Sequence, residues 1–297
     1  GLKRFLLMAL PLMIGQSVVV LDEQLVRVFG SLAGSGAISW LNYARRIMLV
    51  PVGVVAQAAG VASYPFMSEL VAKKDFQRFY STLNTALRNV LTLLIPLSVW
   101  MMVVSEPTIR LIFQQGGFDP ADTRATADLL RVLLASVFCW GVQQIIGRAF
   151  YAMQDTLTPA LLGTVTTVAS LPVYYVLSNT WQATGVAAAS AVSIGLYCLV
   201  LSLWWRRRFG PETFRGLGAS SFKLVALTMI SCVPGVLAVH YAPIENASHP
   251  YLSALYEIAV SGVCFGVLFV ALSLRFVPSL VEPFLKKAGP IGRRLLR

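Results

Sequence analysis

Residues 36–55 read GAISWLNYARRIMLVPVGVV and place two adjacent arginines, Arg45 and Arg46, inside what is otherwise a membrane-spanning run. A cation in hydrocarbon costs about 2.5–3.5 kcal/mol on insertion scales unless it faces a cavity or meets a counter-charge. A chain that keeps two side by side uses at least one of them, most simply to hold an anion within the membrane. Successive positions on a helix point about 100° apart, so the two guanidinium groups cannot share one direction. One faces a cavity while the other pairs with an acid or snorkels outward.

The rest of the chain fits a membrane setting. Of its 297 residues, 57% are hydrophobic and only 12% charged, against roughly 25% charged in a soluble domain. Mean hydropathy is +0.71. This is an all-α polytopic membrane protein, and soluble enzyme classes drop out. The net charge of +11 sits mostly at the ends of apolar runs, where the positive-inside rule accounts for it without nucleic acid. Cys139, Cys198, Cys232 and Cys264 each lie in an apolar run with no C-x-x-C pairing, so free packed thiols are expected. His240 and His249 flank one short loop without carboxylate or thiolate company, a poor metal site.

A transmembrane helix needs about 20 mostly apolar residues. That predicts eight spans, near 5–29, 37–68, 82–104, 125–151, 159–179, 184–205, 220–241 and 251–274. The second is too long for a straight span, and Pro51, Gly53, Gly60 and Pro65 predict a bend in it. Gly1-Leu-Lys-Arg leads into the first span with no small-residue cleavage site, so no cleavable signal peptide is expected. Basic residues collect on one set of ends, among them Arg206, Arg207, Arg208, Arg215 and Lys223. The opposite set carries little beyond Arg110 and Arg124. Both termini are therefore expected in the cytoplasm. Trp40, Trp100, Trp181, Trp204 and Trp205 fall near interfaces, as an aromatic belt predicts. The outer connection 105–124 reads as a loop, with Asp122 or Thr123 capping the helix that follows. Thr158 and Pro159 read as N-cap and first residue of another helix. Gly185, Ala189 and Ser193 make a small-residue face suited to close helix approach.

Three polar groups stand out. Asp22, Glu23 and Arg27 end the first span, with Glu23 and Arg27 spaced to pair along the helix. Arg45 and Arg46 follow Asn42 and Tyr43 by a turn. Gln143 and Gln144 lie in the fourth span, above Arg148 and Asp155, where they can bond across helices or line a polar path. No nucleophile–base pair, metal box or phosphate-binding glycine loop is present in the sequence, so neither enzymatic activity nor a cofactor is expected.

Four segments carry a family likeness: Leu10-Pro-Leu-Met-Ile-Gly, the run Ser39–Val54 around the two arginines, Tyr64-Pro-Phe-Met-Ser-Glu-Leu, and Arg148-Ala-Phe-Tyr-Ala-Met-Gln-Asp-Thr-Leu-Thr-Pro. They resemble the MurJ (MviN) lipid II flippases of the multidrug/oligosaccharidyl-lipid/polysaccharide exporter superfamily. The resemblance implies a fourteen-helix protein of two six-helix lobes plus two extra helices. This chain then looks like helices seven to fourteen: a lobe at 1–210, two additional helices at 211–275 and a basic tail at 276–297 lying on the inner leaflet. The first lobe becomes an implied partner. The implied substrate is an undecaprenyl-pyrophosphate-linked glycopeptide, flipped by alternating access across the bacterial inner (plasma) membrane during cell-wall biosynthesis. The family's cavity arginine falls on Arg46, and the aspartate before it falls on Arg45, a departure. The family's helix-seven acid falls near Glu23, and a family lysine falls on Gln144. The resemblance also suggests a groove between the last two helices for the lipid tail.

The expected substrate-binding set is thus Arg46, Arg45, Asn42 and Gln144, with Asp22, Glu23 and Arg27 as charge partners or coupling groups. A guanidinium suits a pyrophosphate because it stays charged and binds oxygens in a bidentate way. Two alternatives stay open. One is a cation-coupled drug or polysaccharide-lipid exporter, which needs an intramembrane acid, Asp22 or Glu23. The other is a non-transporting scaffold or degenerate half-flippase.

Overall fold

The computed structural model describes residues 20–241 and 250–278, without the side chains of 238–241 and 250. The N-terminal part of the first expected span, the loop containing His249, the His240 side chain and the basic tail from residue 279 onward lie outside the described residues. Among the described residues all regular structure is helical. Helix α1 covers 20–32. A turn with left-handed Gly34 and Gly36 leads into α2 (Ala37–Pro51). Pro51 has no N–H to give the carbonyl a turn earlier. The next six residues, Val52–Gln57, widen into a π-helix before α3 (Ala58–Ala72) resumes. The interruption expected from Pro51 and Gly53 therefore takes the form of a π segment inside one long span.

Asp75 caps α4 (Phe76–Val103) by accepting from the Arg78 N–H at 3.2 Å. The outer connection is not all loop: Ser105–Phe113 forms a short helix, α5. It is amphipathic and too short to register as a span. Asp119, rather than Asp122 or Thr123, caps α6 (Pro120–Leu134). Asp122 completes a reciprocal capping box with it, and Pro120 takes the first helical position. A 44° bend separates α6 from α7 (Val137–Ala152), so the single expected span 125–151 is a broken one.

Thr156 precedes α8 (Leu157–Ala169) without a side-chain cap. The capping expected of Thr158 is done by Asp155, whose carboxylate accepts from the Thr158 N–H at 3.0 Å and its hydroxyl at 2.8 Å. Helix α9 (Leu171–Phe209) is two arms, because Gln182 has non-helical φ 49° and ψ −128°. Ser193 Oγ donates to Ser170 Oγ at 3.0 Å and Tyr197 Oη to the Pro159 carbonyl at 3.1 Å, so the second arm runs back along the first arm and α8. Gly185 sits where this fold-back is tightest: a Cβ there would lie 1.8 Å from the Leu177 carbonyl oxygen. A 3-10 turn, Glu212–Phe214, precedes α10 (Leu217–Tyr241) and α11 (Pro250–Phe276).

Among the described residues up to six segments are long and apolar enough to cross a membrane when the bent α6–α7 pair counts once. Dividing Leu157–Phe209 at Gln182 makes seven. These match seven of the eight expected spans; the first lies mostly outside the described residues. Within the bundle α2 packs on α6, α7 on α4 and α9, and α10 on α4 and α11. Trp205 is not an interfacial belt residue. It is wholly buried, 4.8 Å from Phe150 and 4.5 Å from Phe209 between ring centroids. Its Nε1 donates to Thr213 Oγ1 at 3.1 Å. The 3-10 turn folds back over it, which a reading by position alone does not foresee. Trp181 and Trp204 are exposed as expected.

Candidate functional site

The two arginines part company. Arg45 is buried and Arg46 exposed. Arg45 Nη1 donates to Asp22 Oδ2 at 2.7 Å, with both side chains under a tenth exposed. Asp22 Oδ1 accepts from the Tyr174 hydroxyl at 2.7 Å, and Ser190 Oγ lies 3.1 Å from both carboxylate oxygens. One carboxylate thus ties together α1, α2 and both arms of α9. The face of Trp140, on α7, lies 5.9 Å from the Arg45 guanidinium carbon. Arg45 Nη2 is buried without a hydrogen-bond partner among the described residues, and there the ring is its electrostatic company. Beside Asp22 a cavity of about 10 Å³ is walled by Trp140, Thr167, Ser193 and Tyr197, room for about one water molecule.

Of the sequence's candidates, the structure brings Asp22 and Arg45 together. Glu23 pairs instead with Arg27 at 2.5 Å, both well exposed, a contact worth about 0–1 kcal/mol. Asn42 and Gln144 are half-buried and make no side-chain hydrogen bond among the described residues. Arg148 is more than an interfacial anchor. Its Nε is buried and has no partner among the described residues, and it packs so closely on α3 that a Cβ on Gly60 would come within 2.4 Å of it. Asp155 binds Arg208 as well as Thr158. Partial burial pushes its carboxyl up, but the Thr158 N–H and hydroxyl and the Arg208 cation outweigh this and hold it below the usual range. Sequence reading missed Tyr174, Ser190 and Trp140. The only signal was a hydroxyl or indole within an apolar run, which is too common to single them out.

Arg46 has a different setting. It lies nine residues into α2, about 14 Å along the helix, and has no ion pair or hydrogen bond among the described residues. It belongs to an exposed stripe with helical spacing: Arg46, Val50, Val54, Gln57, Val61 and Pro65. The stripe is otherwise mostly apolar, and a cation in it is costly against lipid unless the guanidinium meets water or an anion.

A family model described as lipid II flippase MurJ matches residues 1–254. The chain belongs to the MurJ family. A relative in Haemophilus influenzae, described as a probable lipid II flippase MurJ, is 24% identical over 287 residues, covering 93% of this chain and 56% of the relative. One in Rhizobium meliloti with the same description is 27% identical over 214 residues, covering 71% and 40%. A solved lipid II flippase MurJ in an inward closed conformation superposes with a TM-score of 0.70 at 21% identity, covering 92% of this chain and 53% of that one. A MATE transporter in a bent conformation gives 0.58 at 14% identity. These structural likenesses speak for a MurJ- and MATE-like fold. The chain spans about half the length of the MurJ relatives it matches.

Proposed function

We propose that this chain forms the second lobe of a lipid II flippase, with residues 1–210 as a six-helix wall, 211–275 as two additional helices and 276–297 as a basic tail. In this reading it sits in the bacterial inner membrane with both termini cytoplasmic, and it performs no covalent chemistry. Membership of the MurJ family supports the substrate class. The observation that carries the site assignment is Arg46, an exposed guanidinium in the middle of an apolar helix with no partner among the described residues. It is free to receive the pyrophosphate of an undecaprenyl-linked glycopeptide, with Asn42 and Gln144 as candidate polar contacts.

Arg45 takes a structural role in this reading, as the counter-charge of Asp22. That occupancy also argues against the cation-coupled exporter. Oδ1 and Oδ2 of Asp22 already accept from Arg45, Tyr174 and Ser190, which leaves little room for a metal ion there; Glu23 and proton coupling stay open to that alternative.

Alternating access rocks one bundle against another around a site at their interface, and a half-length chain supplies one wall. Residues 1–297 reconstituted in liposomes are therefore expected not to translocate labelled lipid II, and to do so when joined to a first lobe from a relative. Arg46→Ala in the joined protein should abolish translocation without loss of folded protein, and Arg46→Lys should retain part of it, because an ammonium lacks the bidentate fork. Normal flipping by Arg46→Ala would remove the assignment. Robust flipping by the 297-residue chain alone would remove the half-site reading.

A further inference from the structure

One apolar groove among the described residues takes in α10 but not α11. It holds about 560 Å³ and is lined by α4, the α6–α7 bend, α9, the 3-10 turn and α10. Its volume falls in the range of small-molecule sites, roughly 300–1,000 Å³. Along α4 it runs from Leu87 to Met102, about 22 Å at 1.5 Å per residue. That exceeds half of a hydrocarbon core of about 30 Å. Its polar lining residues are Ser98, Ser202 and Ser221, and Phe138, Phe222 and Met229 form an exposed flank. A long, thin, apolar slot open along one side fits an extended hydrocarbon chain better than a compact ligand.

One end of the slot is basic. Phe214, Leu217 and Ser221 form it, and a second, smaller cavity shares Leu91, Leu217 and Ser221 with it while adding Arg88. Arg88 donates to the Arg215 carbonyl at 2.9 Å, while its Nε is buried with no partner among the described residues. The exposed Arg215 side chain follows Phe214 directly. Arg206 lies one helical turn beyond Ser202 on the same face, and Lys223 adjoins Phe222. Glu212 is the acid of this segment, against four cations.

We propose that this groove binds an anionic diacyl phospholipid, one acyl chain lying in the slot and the phosphate held at its mouth by Arg88, Arg206 and Arg215. A zwitterionic lipid offers the same phosphate but brings a quaternary ammonium that the basic cluster repels, so charge complementarity favours the net-anionic headgroup. The proposal rests on the reading above in which the α9–α10 junction faces the inner leaflet, where anionic lipid attracts basic segments.

The test follows the melting temperature of the purified 297-residue chain in nonionic micelles. Phosphatidylglycerol or phosphatidylcholine with identical chains is titrated in. Phosphatidylglycerol should stabilise the wild type at lower concentration than phosphatidylcholine. Each cation near a membrane surface is worth about a fivefold change in affinity. Arg206→Gln with Arg215→Gln should therefore weaken the phosphatidylglycerol response by about 25-fold and the phosphatidylcholine response by clearly less, so that the preference between the two lipids collapses. Gly218→Leu should weaken both responses. No atom lies within 4 Å of a Cβ at Gly218, so the new side chain enters the groove and not the core. Equal responses of the wild type to the two lipids would overturn the proposal. So would a preference that survives the double substitution, or a shift reproduced by soluble glycerol 3-phosphate. The assay needs neither transport nor orientation, so its failure is distinct from failure of the flippase reading.

Discussion

At the scale of single residues, burial separates two neighbours that are identical in chemistry. Arg45 is held by Asp22, and Arg46 faces outward. Removing one member of a buried pair strands the other charge, at a cost of about 3–5 kcal/mol, whereas replacing both with apolar or neutral groups is often neutral. Arg45→Ala should therefore destabilise the bundle strongly, and Asp22→Asn with Arg45→Met should recover most of the loss. Tyr174→Phe, which removes one interhelical hydrogen bond, should cost only about 0.6–1.7 kcal/mol. Unfolding titrations in mixed micelles would rank the three variants. A double variant no better than Arg45→Ala would mean that the pair itself is not what matters. The sequence announces that the two arginines must point apart, because 3.6 residues per turn guarantees it. It does not announce which one turns inward. That depends on Tyr174 and Ser190, which are brought to Asp22 from more than 150 positions away.

At the scale of elements, hydropathy makes the spans legible and local chemistry decides their ends. The run 159–205 was readable as two helices separated near residue 180, and Gln182 is where the chain turns. Caps were harder to assign: Asp119 and Asp155 do the work expected of Asp122 or Thr123 and of Thr158. Competing Asp and Thr residues within three positions have similar capping strength, so sequence alone cannot choose. The α5 helix escaped because nine amphipathic residues carry no span signal. The fold-back yields a sharp prediction. Gly185→Ala places a methyl group against the Leu177 carbonyl and should lower the melting temperature and loosen α8 from the second arm of α9. Gly147→Ala, with open space around the new Cβ, should be neutral or gain up to about 1 kcal/mol from helix propensity. Equal effects of the two substitutions would show that the turn is looser than the geometry requires.

At the scale of the molecule, the charge asymmetry of the loops predicts an orientation that cysteine labelling can check. Single cysteines introduced at 206–215 should react with impermeant reagent only after the inner face is exposed, and reaction from outside would reverse the topology. The buried knot at Asp22 also has a consequence in time. Asp22 is synthesised 152 residues before Tyr174, which at about 5–20 residues per second is roughly 8–30 s. Through that interval the nascent carboxylate has Arg45 as its one partner in the finished knot that has already been made. Arg45 is therefore expected to act as an escort during insertion as well as a strut afterwards, with Tyr174 and Ser190 arriving only to close the joint. Ribosome-arrested chains ending near residue 150 should accordingly integrate their first two spans normally when they carry Arg45, and leave the first span partly uninserted when they carry Arg45→Ala. A Tyr174→Phe change lies beyond such a chain and makes itself felt only once the ribosome has passed it.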